Sequence, residues 1–222
     1  MGDPSWMTDA PVLTDATASR PARLGVVLAG GRGRRLGGDK AGAILGRQTL
    51  LARAIATVRA AGLDPRTCAR EDTVLPVENA PAWREFSGPV GGTGLRAPEP
   101  HPLAGLAFAL DYAKEPIVAL PVDLPFLPPA VLAALAARTE PLVVVAVDGQ
   151  PAALVVRADP RVAPALASAA ADGAPAMKSL VAAGAVLADL HDLVEFPGPD
   201  ALFNVNDRDD LRRAQAQLDG AA

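Results

Sequence analysis

The segment VVLAGGRGRRLGGDK, Val26–Lys40, decides how the chain is read. Its aliphatic start, which extends back to Leu24, has no polar alternation and suits a strand covered on both faces, as in a parallel sheet. The strand runs straight into a loop of five glycines, three arginines, one aspartate and one lysine. Glycines there let the backbone turn sharply and approach a ligand closely. Successive exposed N–H groups form an anion-binding concavity, and Arg32, Arg34, Arg35 and Lys40 add full positive charge. Bare backbone and local cations together describe a polyphosphate site. A plain solvent loop rarely concentrates both.

Outward from this loop, TLLARAIATVRAAG places Leu50, Leu51, Ala54, Ile55 and Val58 at helical spacing, with Gly62 positioned to end the helix. RTCARE is the place for a second strand, though a weak and polar one, and TVLPVENAP has some extended character. From Asn79 to Pro102 the chain is rich in Pro and Gly and reads as a long loop, of a length that is usually functional or disordered. A helix follows from Pro102. Ile117 to Val122 is a second buried strand, with Asp123 at its carboxyl end, and LPFLPP leads into a helix through about Ala137. PLVVVAVDGQPAALVVR reads as two strands around an Asp148-Gly149 hairpin turn. Alanine-rich helices at about 160–171 and 175–183, a short strand in AVLADL, and a last helix capped by Asp207 complete the chain. The alternation of strands and helices predicts an α/β fold: one three-layer α/β/α (Rossmann-like) domain with a mostly parallel sheet.

Composition narrows the function. The chain has 222 residues, half of them apolar but only 4% aromatic, so its core is aliphatic and large enough for one domain. A net charge of −4 without a Lys/Arg block gives no nucleic-acid signature. No apolar run reaches the ~20 residues that span a bilayer. The lone Cys68 allows neither an internal disulfide nor a zinc cluster. Residues 1–22, rich in Pro, Ser, Thr and Asp, read as a disordered leader that begins with an appended MGDPSW, ahead of a catalytic domain over 23–220. The default compartment is cytoplasmic.

Two known phosphate loops fail at named positions. A P-loop needs a hydroxyl residue after its lysine, and Ala41 follows Lys40. GRGRRLG approaches the dinucleotide fingerprint from Gly31, but Leu36 stands at its third glycine, it lacks the acidic residue expected at the end of a second strand and it has a spacer, DKAGAILGRQ, before its helix.

LAGGRGRRLGGDK instead closely resembles the L-A-G-G-x-x-x-R-M-G-x-D-K signature of the molybdenum cofactor guanylyltransferases, a MobA-like nucleotidyltransferase family, with Leu36 in place of Met. HPLAGLAFAL is similar to the family's G-P-L-A-G helix start, with His101 for Gly. LPVDLPFLPP resembles its C-D-x-P-(F/Y)-(I/L)-P segment, and FNVND followed by DDL resembles its N-(I/V)-N ending. The four blocks run in order from about 24 to 218. The resemblance implies a nucleotide-diphospho-sugar transferase-like fold. It also implies transfer of GMP from GTP, or of a nucleotide from another triphosphate, to the terminal phosphate of molybdopterin, with release of pyrophosphate.

The resemblance further implies that Leu28, Ala29, Gly30 and Gly31 cradle the nucleotide and that Lys40 holds the triphosphate. Arg35 would stabilise the leaving pyrophosphate and Asp123 would bind Mg²⁺. Asn204 and Asn206 would touch the metal or the acceptor. A second copy of the chain, a molybdoenzyme or a chaperone is the further contact implied. Because the attacking phosphate is already anionic, no general base is needed, and His101 and His191 read as non-catalytic.

Two departures bear on the nucleobase. Ungapped counting from Lys40 puts Cys68 where the family has a nucleoside-contacting Asn, and no acidic residue lies between Glu85 and Glu99, where the family has an Asp. Related cytidylyl or sugar-phosphate transferases, or a silent cofactor-binding relative, are the alternatives.

Overall fold

The computed structural model describes residues 20–31, 33–36, 38, 40–70, 73–76, 82–85 and 101–220. Within them a seven-stranded sheet forms the middle layer. In chain order the strands and helices are β1 (Leu24–Leu28), β2 (Ile44–Leu45), β3 (Gln48–Thr49), α1 (Leu50–Ala60), β4 (Asp64–Arg70), β5 (Ala82–Glu85) and α2 (Pro102–Ala113). Next come β6 (Ile117–Pro121), α3 (Pro129–Ala137), β7 (Leu142–Val147), β8 (Gln150–Ala158), α4 (Ala163–Ala171) and α5 (Ala176–Ala182). The chain closes with β9 (Val186–Asp189), α6 (Leu190–Leu193) and α7 (Arg208–Gly220). The sheet order is β5-β4-β1-β6-β8-β7-β9, while β2 and β3 form a small separate ribbon. Only β8 runs against the other strands of the sheet.

The uninterrupted apolar strands are explained by the two cores they feed. Val27, Val118 and Leu120 point to the face covered by α1 and α3, with Ala214 of α7 in the same cluster. Val26, Ile117 and Ala119 point to the opposite face, where α2 and α4 pack. Both faces of the central strands are therefore dry, which is the condition under which strand alternation disappears from a sequence. The fold is the expected three-layer, mostly parallel α/β/α domain.

The β7–β8 hairpin turns at Asp148 (φ 50°) and Gly149 (φ 71°), both left-handed as a two-residue hairpin turn requires. The expected second strand is borne out, and two other expectations change. Asp64–Arg70 is a full strand between β1 and β5, its polar letters notwithstanding, because Thr67, Cys68 and Ala69 are buried by their neighbours. Ala82–Glu85, inside the stretch read as loop, pairs in parallel with β4 as an edge strand. Apart from His101 and Pro102, which begin α2, the remainder of that stretch, including the Gly88–Pro100 segment, lies outside the described residues, as does the leader up to residue 19. Arg20–Ala22, assigned to the leader by sequence, are attached to the body: Ala22 is buried and its N–H donates to the Ala136 carbonyl at 2.9 Å.

Register sets the site. Leu28 lies level with Cys68 of β4 and with Pro121 of β6. The chain leaves β1 toward β4 on one side and reaches β6 on the other, so the carboxyl ends of β1 and β6 flank the reversal in strand order where α/β sheets bind ligands.

Candidate nucleotide-transfer site

The glycine loop continues β1 along that edge. Ala29 is fully buried and its N–H donates to the Cys68 carbonyl at 2.8 Å, Gly30 is half-buried and Gly31 is exposed. Leu28, half-buried, accepts at its carbonyl from the N–H of Val122. Gly33 has φ 50°, and a Cβ there would lie 2.1 Å from the Gly38 carbonyl oxygen, so only glycine lets the loop fold back on itself. A single helical turn at Arg34–Leu36 and another at Lys40–Gly42 follow. Ala41 is fully buried and anchors the second turn, which aims the Lys40 stem back across the loop. Arg32 and Asp39 lie outside the described residues.

Three distant blocks meet at the Lys40 ammonium. Its Nζ donates to Asp123 Oδ2 at 2.7 Å and to Asn206 Oδ1 at 2.9 Å. The pair is largely buried, with side-chain exposures of 15% for Lys40 and 13% for Asp123. The backbone is stitched at the same place, where the Val205 N–H donates to the Asp123 carbonyl at 2.9 Å. Asn206 is held from behind by Asp210, whose Oδ2 accepts the Asn206 N–H at 2.9 Å. Asp207 caps α7 by accepting the N–H groups of Asp209 and Asp210 at 2.9 and 3.0 Å. Those bonds, from Asp210 first, hold the Asp207 carboxyl below its ordinary value, with Arg35 and Arg213 adding to the effect. Arg35 is exposed and is thus placed near Asp207. It makes no hydrogen bond to the Lys40–Asp123–Asn206 trio among the described residues. Asn204 is also exposed, on the segment that carries Val205.

A divalent ion suits this oxygen set. Asp123 Oδ1 is buried without a hydrogen-bond partner among the described residues, and such an orphan is costly unless a function uses it. Asp123 and the Asn206 amide oxygen are hard donors of the kind Mg²⁺ takes, with phosphates and water completing the shell. Among the described residues no group of three or more His, Cys, Asp or Glu side chains could hold a metal unaided.

The site contains features that sequence reading missed. The rings of Phe126 and Phe203 lie 6.1 Å apart, and Arg213 of α7 sits 5.0 Å over the Phe203 ring. Their only sequence signal is position: Phe126 follows Asp123 by one turn, and Phe203 begins FNVND. Cys68 is corrected. It is 2% exposed, with its Sγ 3.5 Å from the Gly105 carbonyl on the α2 side of the sheet, so it does not reach the site. The residue at the carboxyl end of β4 is Arg70, and a Cβ placed on Gly30 would come 3.2 Å from its Cγ. His101 is the N-cap of α2. Its Nδ1 accepts from the Leu103 N–H at 3.2 Å, and its Nε2 lies 2.9 Å from the Ala174 carbonyl. His191 is exposed in α6.

The candidate site is thus a loop of bare backbone at the strand-order reversal, with a lysine and an acid brought together beside it. The chain belongs to the MobA-like NTP transferase domain family, whose model matches residues 25–190. It is 33% identical over 206 residues to the molybdenum cofactor guanylyltransferase of Cereibacter sphaeroides, covering 87% of this chain and 96% of that one. It is 37% identical over 134 residues to the enzyme of the same name from Rhizobium leguminosarum bv. trifolii, a match that spans 58% of this chain and only 57% of the relative. Its fold is similar to that of the molybdopterin-guanine dinucleotide biosynthesis protein A of Archaeoglobus fulgidus, with a TM-score of 0.67, 22% identity and coverage of 88% and 98% of the two chains.

Proposed function

We propose that this chain transfers GMP from GTP to the terminal phosphate of molybdopterin, with Mg²⁺ at Asp123 and with release of pyrophosphate. The observation that carries the reading is the meeting of Lys40, Asp123 and Asn206, from three separate sequence blocks, at one point beside the glycine loop. The name that these relatives carry, molybdenum cofactor guanylyltransferase, supports guanine as the base and the molybdenum cofactor as the acceptor. The catalytic unit is 23–220, and the compartment is the cytoplasm. Among the described residues no helix is long and apolar enough to cross a membrane.

The chemistry needs little beyond placement. An oxygen of the acceptor phosphate attacks the α-phosphorus, the bond from that phosphorus to the bridging oxygen breaks, and pyrophosphate leaves with its electron pair. The nucleophile is an anion already, so the residues act by holding two anions together and neutralising charge. The backbone of Leu28, Ala29, Gly30 and Gly31 receives the triphosphate. Lys40 then turns to it, and Arg35, on the exposed side of the loop, stabilises the departing pyrophosphate. Asp123 and Asn206 supply oxygen donors for the metal, and Asn204 faces the acceptor side. Bound there, a divalent ion neutralises phosphate oxygens as a Lewis acid.

The test is pyrophosphate release from each of GTP, CTP, ATP and UTP with Mg²⁺ and molybdopterin. Release dependent on GTP and on the acceptor is expected. Release from CTP alone would move the chain to cytidylyl transfer. Binding of nucleotide or pterin with no turnover would make it a silent binding member.

A further inference from the structure

We infer that the Lys40 ammonium and the divalent ion occupy one shared position in turn, so that the chain takes the metal-chelated triphosphate as its substrate and holds no metal of its own between turnovers. This rests on the nucleotidyl-transfer reading above.

Asp123 presents no oxygen that is both uncovered and open to a lone ion arriving from solvent. Its Oδ1 is sealed in the protein, and its Oδ2 is covered by Lys40 at 2.7 Å. The second oxygen donor, Asn206 Oδ1, is bound to the same ammonium at 2.9 Å. One cation therefore already bridges the two oxygens that a metal would use. A second cation beside the same carboxylate would meet the ammonium's full charge at short range in a partly buried setting, where repulsion is poorly screened. A bare ion would also have to eject Lys40 with nothing to receive it.

A metal–triphosphate chelate avoids both costs, because its phosphates bring negative charge with the ion. The Lys40 stem lies over the loop that would receive them: a Cβ on Gly31 would come 3.8 Å from Lys40 Cδ. The ammonium thus has a short swing from Asp123 to the phosphates, and its departure uncovers Oδ2 and Asn206 together. A small protein donor set is consistent with this order, since Mg²⁺ sites with few carboxylates draw the rest of their ligands from substrate phosphates.

The experiment is a Mn²⁺ titration without nucleotide, following the free ion by electron paramagnetic resonance, on the full chain. Wild type is expected to bind Mn²⁺ weakly, and Lys40→Met at least about tenfold more tightly, because the carboxylate is left without its cation. Lys40→Arg, which keeps the charge, should stay weak, and adding Asp123→Asn to Lys40→Met should abolish the gain. Lys40→Gln answers the same question if the Met variant fails to fold by its melting curve. Adding GTP should bring Mn²⁺ into the wild-type protein. Equal Mn²⁺ affinity in wild type and Lys40→Met would overturn the inference while leaving nucleotidyl transfer intact. Absence of transfer from all four triphosphates, with the Lys40→Met gain present, would overturn the transfer reading and support the shared position.

Discussion

The N–H of Val205 donates to the carbonyl of Asp123 at 2.9 Å, which makes the segment before α7 a second wall of the Asp123 site. The Phe126 and Phe203 rings, from the two joined segments, lie 6.1 Å apart, and Arg213 sits 5.0 Å over the Phe203 ring. The wall is thus held in part by a backbone bond and a tilted aromatic contact. Phe203→Ala should cost about 2 kcal/mol, below the range for a fully buried ring because Phe203 is only half-buried. It should also lower kcat/KM by about tenfold, since small misplacements of catalytic groups are amplified in rate. Phe203→Leu should recover most of the stability. Chemical denaturation and pyrophosphate release measure the two effects.

Lys40 carries the largest expected effect on turnover. Lys40→Ala removes the cation that bridges Asp123 and Asn206 and that would neutralise phosphate charge. A loss of at least about 10²-fold in kcat/KM is expected, in the range seen when a preorganised electrostatic contact is deleted. Asp123→Asn should lose a comparable factor, and added Mg²⁺ should not rescue it. Turnover equal to wild type in either variant would remove that residue from the mechanism.

These expectations trace back to features of very different legibility. β1 and β6 could be read directly because both of their faces are buried, which leaves an apolar run with no alternation. The hairpin at Asp148-Gly149 was equally plain, since its turn needs two left-handed residues in succession. β4 was faint because Asp64, Arg66 and Arg70 interrupt it, and only the tertiary neighbours β1 and β5 make it a strand. β5 could not be seen in a four-residue edge segment within a Pro- and Gly-rich stretch. Lys40 and Asp123 could be named from their blocks, but their contact with Asn206 depends on α7 returning to the glycine loop. That return is fixed by long-range contacts such as the Gly46 N–H to Gln215 Oε1 bond at 2.7 Å. Cys68 was misplaced because counting residues does not say which strand positions face the core.

Stability at the opposite end of the sheet should separate from activity. Arg157 on β8 is fully buried and lies level with Val118, near the amino end of β6 and away from the site. It donates to the carbonyls of Glu140 and Arg20, tying the approach to β1 onto the segment before β7. Burial pushes its guanidinium below the ordinary value, with Asp159 and Glu140 opposing that shift. Arg157→Ala would leave two carbonyls without their donor and open a cavity. A loss of about 3 kcal/mol is expected in urea denaturation. At a temperature where the variant is folded, its kcat should match wild type.

The pH dependence of that same end follows from Glu140. Arg138 donates to it through Nε at 3.0 and 3.1 Å and through its terminal nitrogen. The side-chain bond from Arg138 holds the Glu140 carboxyl down to about 2 from an ordinary 4.5, against the opposing effect of burial. A carboxyl depressed in the folded state binds its proton more readily when unfolded, so its contribution is complete above about pH 4.5 and is lost as pH falls toward about 2. Glu140 is partly exposed, so solvent keeps the effect modest. Thermal melts of wild type and Glu140→Gln should therefore differ most above pH 4.5, with wild type the more stable, and should converge as pH falls toward 2. A gap that stays constant across that range would show that the ion pair contributes nothing to folding stability.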